Sequence, residues 1–317
     1  MRNPVPGKHL LIASTGGHLA QLVKWAESFD SSEDSLWVTF DTPQSRSLLR
    51  TRRVLYVPYV RPRDLKSSVQ AFREIRNKIN WRSENFTAAI STGAAVAVGG
   101  LLAAHLNGVQ TFYIESVSRV QGPSLSGRII SLLPGINLSC QYKSWANSRW
   151  QYRDSLFENY KYQENTPVQN PRLFVTLGTI SPYRFDALID SILESGLANQ
   201  STVWQVGCTH RLDLPGQVHA ELSADEFTMA CHASDVVVTH SGVGTIMNLL
   251  DMGISPLVVP RRKSRNEHVD DHQTQIANLI DRAGIATVAE VDALDRNILI
   301  SASGKSVQLS DADVHGG

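Results

Sequence analysis

Cysteine is scarce: three in 317 residues (Cys140, Cys208, Cys231), far apart and without a CxxC pair. That excludes a disulfide framework or zinc ribbon as the basis of the fold, and it points to a reducing compartment. Long hydrophobic runs are also missing. The most apolar stretch, Ala94 to Leu106, is broken by Gly99 and Gly100, whereas a spanning helix needs about 20 residues. It reads as a buried core helix. The opening MRNPVPGKHLLIAST has too short an apolar run, and no small-residue cleavage pattern, for a signal peptide. Neither a transmembrane anchor nor a secretory leader is expected.

Net charge is absent too, with 30 Lys+Arg against 30 Asp+Glu, but the balance hides a division. Residues 1–165 hold 20 basic and 12 acidic side chains, a surplus of +8; residues 166–317 hold 10 and 18, a deficit of −8. Two halves of opposite charge meet different partners. The length suits roughly two domains of about 150 residues. Apolar and charged fractions of 42% and 19% exclude wholesale disorder and fibrous repeats.

Short apolar runs alternate with helical periods. Strands are expected at His9–Ser14, Leu36–Phe40, Val54–Val57, Ala88–Ser91, Thr111–Ile114 and Asn137–Cys140. Further on they are expected at Leu173–Leu177, Thr202–Val206, Val236–Thr239 and Leu257–Val259. Leu19, Leu22, Val23 and Ala26 repeat at helical spacing. Further helices are expected at Tyr183–Glu194, Asp225–His232, Thr245–Met252 and Val269–Arg282, with Ser223 and Glu226 as a capping box. Alternation of this kind builds parallel sheets from βαβ units. Residues 158–171 are polar, contain two prolines and read as a linker. The expected architecture is α/β: two doubly wound, Rossmann-like domains facing across a cleft. Residues 1–160 form the first, 161–300 the second, and 301–317 a flexible tail. Ligands of such sheets bind at the carboxyl ends of strands.

Four junctions there carry chemistry. Ser14-Thr15-Gly16-Gly17-His18 follows the first strand and offers glycine amides at a helix start. At that positive end His18 is biased toward neutral imidazole, the form a general base needs, or it is simply bonded to a neighbouring loop. Ser91-Thr92-Gly93 follows the fourth strand, either as close packing or as a second anion loop. Glu115 ends the fifth strand, with Arg119 in the loop beyond. Thr239-His240-Ser241-Gly242-Val243-Gly244-Thr245 offers free N–H groups and hydroxyls to a diphosphate, without the lysine of a P-loop or the dinucleotide glycine spacing. Downstream lie Arg261, then Glu267, His268, Asp271, His272 and Gln273, whose carboxylate, imidazole and amide groups suit sugar hydroxyls; as the rival, Glu267, His268, Asp271 and His272 could ligate a metal. Arg46 to Arg82 holds 11 basic residues against Asp64 and Glu74. A run of that strength suits lipid head groups or nucleic acid, and no nucleic-acid module accompanies it, which favours the membrane surface.

The segment THSGVGTIMNLLDMGISPLVVPRRKSRNEHVDDHQTQIANLIDRAG resembles the donor-site signature of the Alg13-like (PssE-like) catalytic partner in two-subunit UDP-sugar glycosyltransferases. STGGHLAQL, STGAAVAVGG and FYIESVSRVQGPSLSGRI are similar to the Alg14-like (PssD-like) membrane-associated partner. The chain thus resembles both halves fused, over about residues 10–295, and more distantly the enzyme that adds N-acetylglucosamine to the lipid precursor of peptidoglycan. The resemblance implies a GT-B fold, inverting transfer and no bound metal or other cofactor. It implies a polyprenyl-diphosphate-linked saccharide as acceptor, in exopolysaccharide or cell-surface glycan synthesis. The enzyme would sit peripherally on the inner face of the cytoplasmic membrane. Carried onto this chain, it places the donor on Gly178, Thr179, His240, Ser241, Gly242, Gly244, Thr245, Arg261, Glu267, Asp271, His272 and Gln273. Gly16, Gly17, Gly93 and Arg119 fall on the acceptor side, with His18 as base and Glu115 as supporting carboxylate. The membrane-spanning helix that usually begins Alg14-like partners is not seen. Two alternatives stand beside this reading: a UDP-sugar 2-epimerase of the same fold, and a non-catalytic enhancer of another transferase.

Overall fold

The computed structural model describes residues 3–60, 64–178, 182–268 and 272–309. The chain divides into two compact units, Met1–Leu156 and Phe157–Gly317.

The first unit runs β1 (His9–Ala13), α1 (Gly17–Ser28), β2 (Leu36–Thr39), α2 (Pro43–Leu48), β3 (Arg53–Tyr56), α3 (Leu65–Lys78) and α4 (Trp81–Glu84). It continues with β4 (Ala88–Gly93), α5 (Ala95–Leu106), β5 (Thr111–Ile114), α6 (Leu125–Ser131), β6 (Asn137–Cys140) and β7 (Trp150–Tyr152). Among the described residues its strands form one parallel sheet in the order β3-β2-β1-β4-β5-β6-β7. β1, β2, β4 and β5 are buried along their whole length. Such strands read as continuous apolar runs because helices cover both faces of the sheet. Each fully buried Leu or Ile here contributes about 1.5–3 kcal/mol. Where the apolar stripe is weak, capping fixes the helix start: Asp64 accepts from the amides of Lys66 and Ser67 to open α3.

The second unit runs β8 (Tyr160–Glu164), β9 (Leu173–Thr176), α7 (Asp186–Glu194), β10 (Val203–Gln205), β11 (Gln217–His219), α8 (Ala224–Ala233) and β12 (Val236–His240). It ends with α9 (Val243–Asp251), β13 (Leu257–Val259), α10 (His272–Arg282), β14 (Thr287–Val288), α11 (Arg296–Ser303) and β15 (Lys305–Leu309). Its parallel sheet has the order β11-β10-β9-β12-β13-β14. The capping box at α8 is present: Ser223 Oγ accepts from the Glu226 amide, and Glu226 accepts from the Ser223 amide. The strands and helices expected from the sequence form, with ends shifted by a few residues, and Val269–Asp271, the expected start of α10, lie outside the described residues.

Two expectations need correction. Residues 158–171 do not form a bare linker, because they contain β8. Residues 301–309 are not a flexible tail, because they complete α11 and form β15. β8 and β15 pair antiparallel, Tyr160 opposite Leu309 and Val307 opposite Tyr162. Only Tyr160 and Val307 of these strands are buried, so one apolar side chain per strand left no period to read. Residues 310–317 lie outside the described residues. Among the described residues, no helix is long and apolar enough to cross a membrane.

Both sheets reverse direction once. In the first, chain order runs outward one way from β1 and the other way from β4; in the second, the reversal falls between β9 and β12. The carboxyl ends of the strands at such a switch point form the natural binding crevice of a doubly wound sheet. Most of the glycine junctions singled out from the sequence lie at these two points.

Candidate functional site

In the first unit, α1 starts directly behind β1 and α5 directly behind β4. His18, the second residue of α1, turns its ring to the neighbouring junction, where Nδ1 lies 2.8 Å from the Thr92 carbonyl oxygen. Thr92 Oγ1 donates back to the His18 carbonyl at 2.7 Å. A carbonyl can only accept, so Nδ1 carries the proton and Nε2 keeps its lone pair. Burial, and then the positive charge of Arg119, hold the imidazole below its ordinary range against the opposing carbonyl bond. The ring is neutral at physiological pH, and the residue as a whole is half-buried. Gly93 has φ +121°, and a Cβ there would stand 2.9 Å from His18 Cε1 and 3.3 Å from the Tyr113 hydroxyl. Glycine is needed at this point because the imidazole occupies the space.

The other first-unit residues play different parts. Gly16 caps α1 with φ 80°, but its N–H is already taken by Gln44 Oε1 at 2.6 Å. The open glycine amide expected there is therefore closed. Gly17 opens α1, and its carbonyl accepts from Gln21 Nε2. Glu115 is fully buried and surrounded by donors: the Ser124 amide at 2.9 Å, Ser124 Oγ at 3.0 Å, and the Ser116 amide and Tyr113 hydroxyl at 3.2 Å each. Burial raises its pKa against those bonds. It organises the loop after β5; it is not exposed to a reactant. Arg119 lies in that loop, close enough to influence both His18 and Glu115 electrostatically.

In the second unit the His240 ring is wedged between two glycines. A Cβ on Gly178, which has φ +72°, would stand 2.5 Å from its Cε1, and the Cβ of a side chain at position 242 would meet its Nε2. The ring thus sets the spacing of the loops after β9 and β12. Burial, followed by the charges of Arg261 and His268, lowers its pKa to about 3. Its Nδ1 and the buried Ser241 Oγ have no hydrogen-bond partner. Immediately beyond, α9 begins at Gly242 with no side-chain cap and no acidic residue in its first turn, Gly244 and Thr245 included. A helix start of this kind presents free N–H groups and a positive dipole end.

Arg261 departs most from expectation. Its guanidinium is buried and cannot reach a ligand as a surface clamp would. It donates to the carbonyls of Leu177 (2.6 Å), Tyr183 (2.8 Å), Glu267 (3.1 Å) and Arg184 (3.3 Å), and it stacks over the Phe185 ring. One side chain therefore ties the loop after β9 to the loop after β13. Gln273 Oε1 accepts from the Arg261 amide, and Glu267 accepts from the Arg262 amide. Burial raises the Glu267 pKa. Glu267 also lines a pocket of about 490 Å³ with Tyr183, Arg184, Arg265 and Asn266. Thr179, Asp271 and the side chain of His272 lie outside the described residues. Among the described residues no three or more His, Cys, Asp or Glu side chains gather as a metal site.

The sequence reading missed Gln21 and Ser124, and it gave no individual role to Thr92 or Tyr113. Buried Gln21 joins α1 to the loop after β5 by accepting from the Val117 amide and donating to Ser116 Oγ. Its one signal was its place beside Leu22 in the apolar stripe of α1. Ser124 is a cap residue preceding the apolar Leu125, which is itself a helix-start signal.

Residues 173–310 match the model of the glycosyltransferase family 28 C-terminal domain. Over 241 residues the chain is 28% identical to the UDP-N-acetylglucosamine–N-acetylmuramyl-(pentapeptide) pyrophosphoryl-undecaprenol N-acetylglucosamine transferase of Salinibacter ruber, covering 69% of this chain and 63% of the relative. The protein of that name from Shewanella pealeana is 30% identical over 141 residues, 41% of this chain and 38% of the relative. The chain thus spans less than two thirds of the length of these relatives. Among solved structures, MurG of Acinetobacter baumannii superposes with a TM-score of 0.54 at 18% identity, covering 92% of this chain and 88% of that one. The kitacinnamycin glycotransferase gives 0.57 at 14%, covering 95% and 90%. The UDP-GlcNAc 2-epimerase of Methanocaldococcus jannaschii gives 0.54 at 10%, covering 93% and 91%. The chain therefore has the GT-B fold, and its residues 173–310 are similar to the glycosyltransferase family 28 C-terminal domain.

Proposed function

We propose that this chain is an inverting, UDP-dependent hexosyltransferase that moves a sugar from a UDP-sugar to a polyprenyl-diphosphate-linked saccharide in exopolysaccharide or cell-surface glycan synthesis. The observation that carries the donor half is the uncapped start of α9, at the switch point of the second sheet and inside the stretch that matches the glycosyltransferase family 28 C-terminal domain. That position supports a donor diphosphate as the ligand of its free amides.

His18 is the base in this reading. An acceptor hydroxyl attacks the anomeric carbon from the face opposite the diphosphate, and its proton passes to His18 Nε2. The carbon–oxygen bond to the diphosphate breaks, and UDP leaves with the bonding electrons. The amides of α9 stabilise the charge that develops on the leaving group. Thr92 fixes the tautomer, while Glu115 and Gln21 hold the loop carrying Arg119. Arg261 positions Gly178, Glu267 and Gln273 and makes no contact with the diphosphate itself. On this account residues 1–160, the Alg14-like part, take the acceptor at the inner face of the cytoplasmic membrane. Residues 161–300, the Alg13-like part, take the donor.

Calorimetric titration with UDP and UMP tests the donor site. UDP is expected to bind at least tenfold more tightly, because the second phosphate is what the α9 amides hold. Equal affinities, or no binding of either nucleotide, would overturn the assignment.

A further inference from the structure

We propose that the outward face of α6 docks the first unit onto an anionic lipid bilayer, inserting Leu125, Ile129 and Leu132 among the acyl chains. The inference rests on the reading of a lipid-linked acceptor for its setting, although its decisive readout, vesicle binding, needs neither nucleotide nor acceptor. These three residues stand at i, i+4 and i+7, so they share one helix face. They are 54%, 43% and 82% exposed, while Gly127 and Ile130 on the opposite side are buried. Leu132 keeps helical backbone angles, so the stripe continues through it. A seven-residue helix is marginal alone, yet this one is anchored at both ends. Glu115 accepts from the Ser124 amide and hydroxyl at its start, and Ser124 Oγ accepts from the Gly127 amide. At its end Arg149 donates to the carbonyls of Ser131, Leu133 and Ile136. A Cβ on Gly127 would run into Glu115 and reach within 3.2 Å of Trp150, so glycine lets the helix lie close on its anchor. The fold thus holds an apolar stripe rigidly toward solvent.

Charge selects the occupant. From residue 86 to residue 153 the chain contains one carboxylate, Glu115, and that one is buried. Arg128 flanks the apolar stripe and is exposed. A surface offering apolar side chains, a cation and no carboxylate from its own stretch suits an anionic membrane. The basic stretch from Arg46 to Arg82 is the rival surface, with Arg50, Arg52, Lys66, Arg73, Arg76 and Arg82 exposed. Arg46, Arg53 and Lys78 there pair with Asp41, Glu84 and Glu74, and Arg61 and Arg63 lie outside the described residues.

The test is co-sedimentation of the full chain with vesicles of phosphatidylglycerol and phosphatidylcholine, and with phosphatidylcholine alone. The native chain is expected to bind the mixed vesicles and to bind neutral ones at least tenfold less. The triple variant Leu125→Ser, Ile129→Ser, Leu132→Ser should lose at least tenfold in binding to mixed vesicles with its melting temperature and UDP affinity unchanged. Arg128→Glu should weaken binding to mixed vesicles alone. Native-like binding by the triple variant overturns the proposal, and so does loss of binding on Lys66→Glu with Arg73→Glu while the triple variant still binds. A native dimer that the triple variant converts to monomer without changing vesicle binding assigns the face to self-association and also overturns it. Failure of vesicle binding with UDP binding intact removes the docking surface and leaves the donor site standing.

Discussion

Arg261 shows how a residue's place in the fold can differ from the one its sequence position suggests. Beside a strand end in a nucleotide-binding fold, an arginine reads as a phosphate ligand. Buried and shared among four carbonyls, it acts as a tie between loops instead. Removing it strips those carbonyls of partners and opens a cavity over Phe185. Arg261→Ala should cost about 3–5 kcal/mol; chemical denaturation followed through a probe in the second unit measures it, and a loss below about 1 kcal/mol would contradict the tie. His240 makes a complementary case. Unfolded, its imidazole takes a proton near 6.5; folded, only near pH 3. The fold therefore keeps its full stability above pH 6.5 and loses about 1.4 kcal/mol per pH unit below it from this group, down to about pH 3. The direct check is the His240 ring resonance, which should stay at its neutral position from pH 8 to pH 5. A titration midpoint near 6.5 would show that the ring is not wedged as described. Neither role was legible in the sequence, because the carbonyl partners of Arg261 and the glycines around His240 meet only through the fold.

At the scale of elements, the buried strands and amphipathic helices were legible because sheets covered on both faces leave long apolar signals. β8, β11 and β15 were not legible: lying at an edge or in a two-stranded pair, they bury one side chain or fewer each. α6 was visible only as a short amphipathic stretch, since its stability comes from Glu115 and Arg149 and not from its own length. α9 was the most legible element of the candidate site, and it supports a prediction with two opposite signs. Thr245→Glu puts a carboxylate in its uncapped first turn, where the helix dipole favours negative charge by about 0.3–1 kcal/mol. The variant should melt slightly higher and bind UDP at least tenfold more weakly. Unchanged UDP affinity would place the diphosphate elsewhere.

Over the whole molecule, the vanishing net charge conceals a +8 half and a −8 half. The negative half is the one assigned to the anionic donor, so the long-range field cannot be what draws the nucleotide in. On the proposed assignment binding rests on the local amides of α9, where a few aligned dipoles outweigh distant surface charges. The basic half suits an anionic lipid surface, where long-range attraction does matter. The sequence showed this partition plainly, but not which basic residues were already spoken for by carboxylates.

The central claim is sugar transfer with His18 as base. Purified native chain and His18→Ala, each incubated with a panel of UDP-sugars and polyprenyl-diphosphate-linked saccharide in mixed vesicles, test it most directly. The account predicts that the native chain releases UDP with one donor and forms a glycoside of inverted anomeric configuration. His18→Ala should bind that UDP-sugar with unchanged affinity and transfer at least a thousandfold more slowly, somewhat within the reach of losing a general base and its orientation. Epimerised sugar nucleotide in place of a glycoside, or full transfer by His18→Ala, would contradict it.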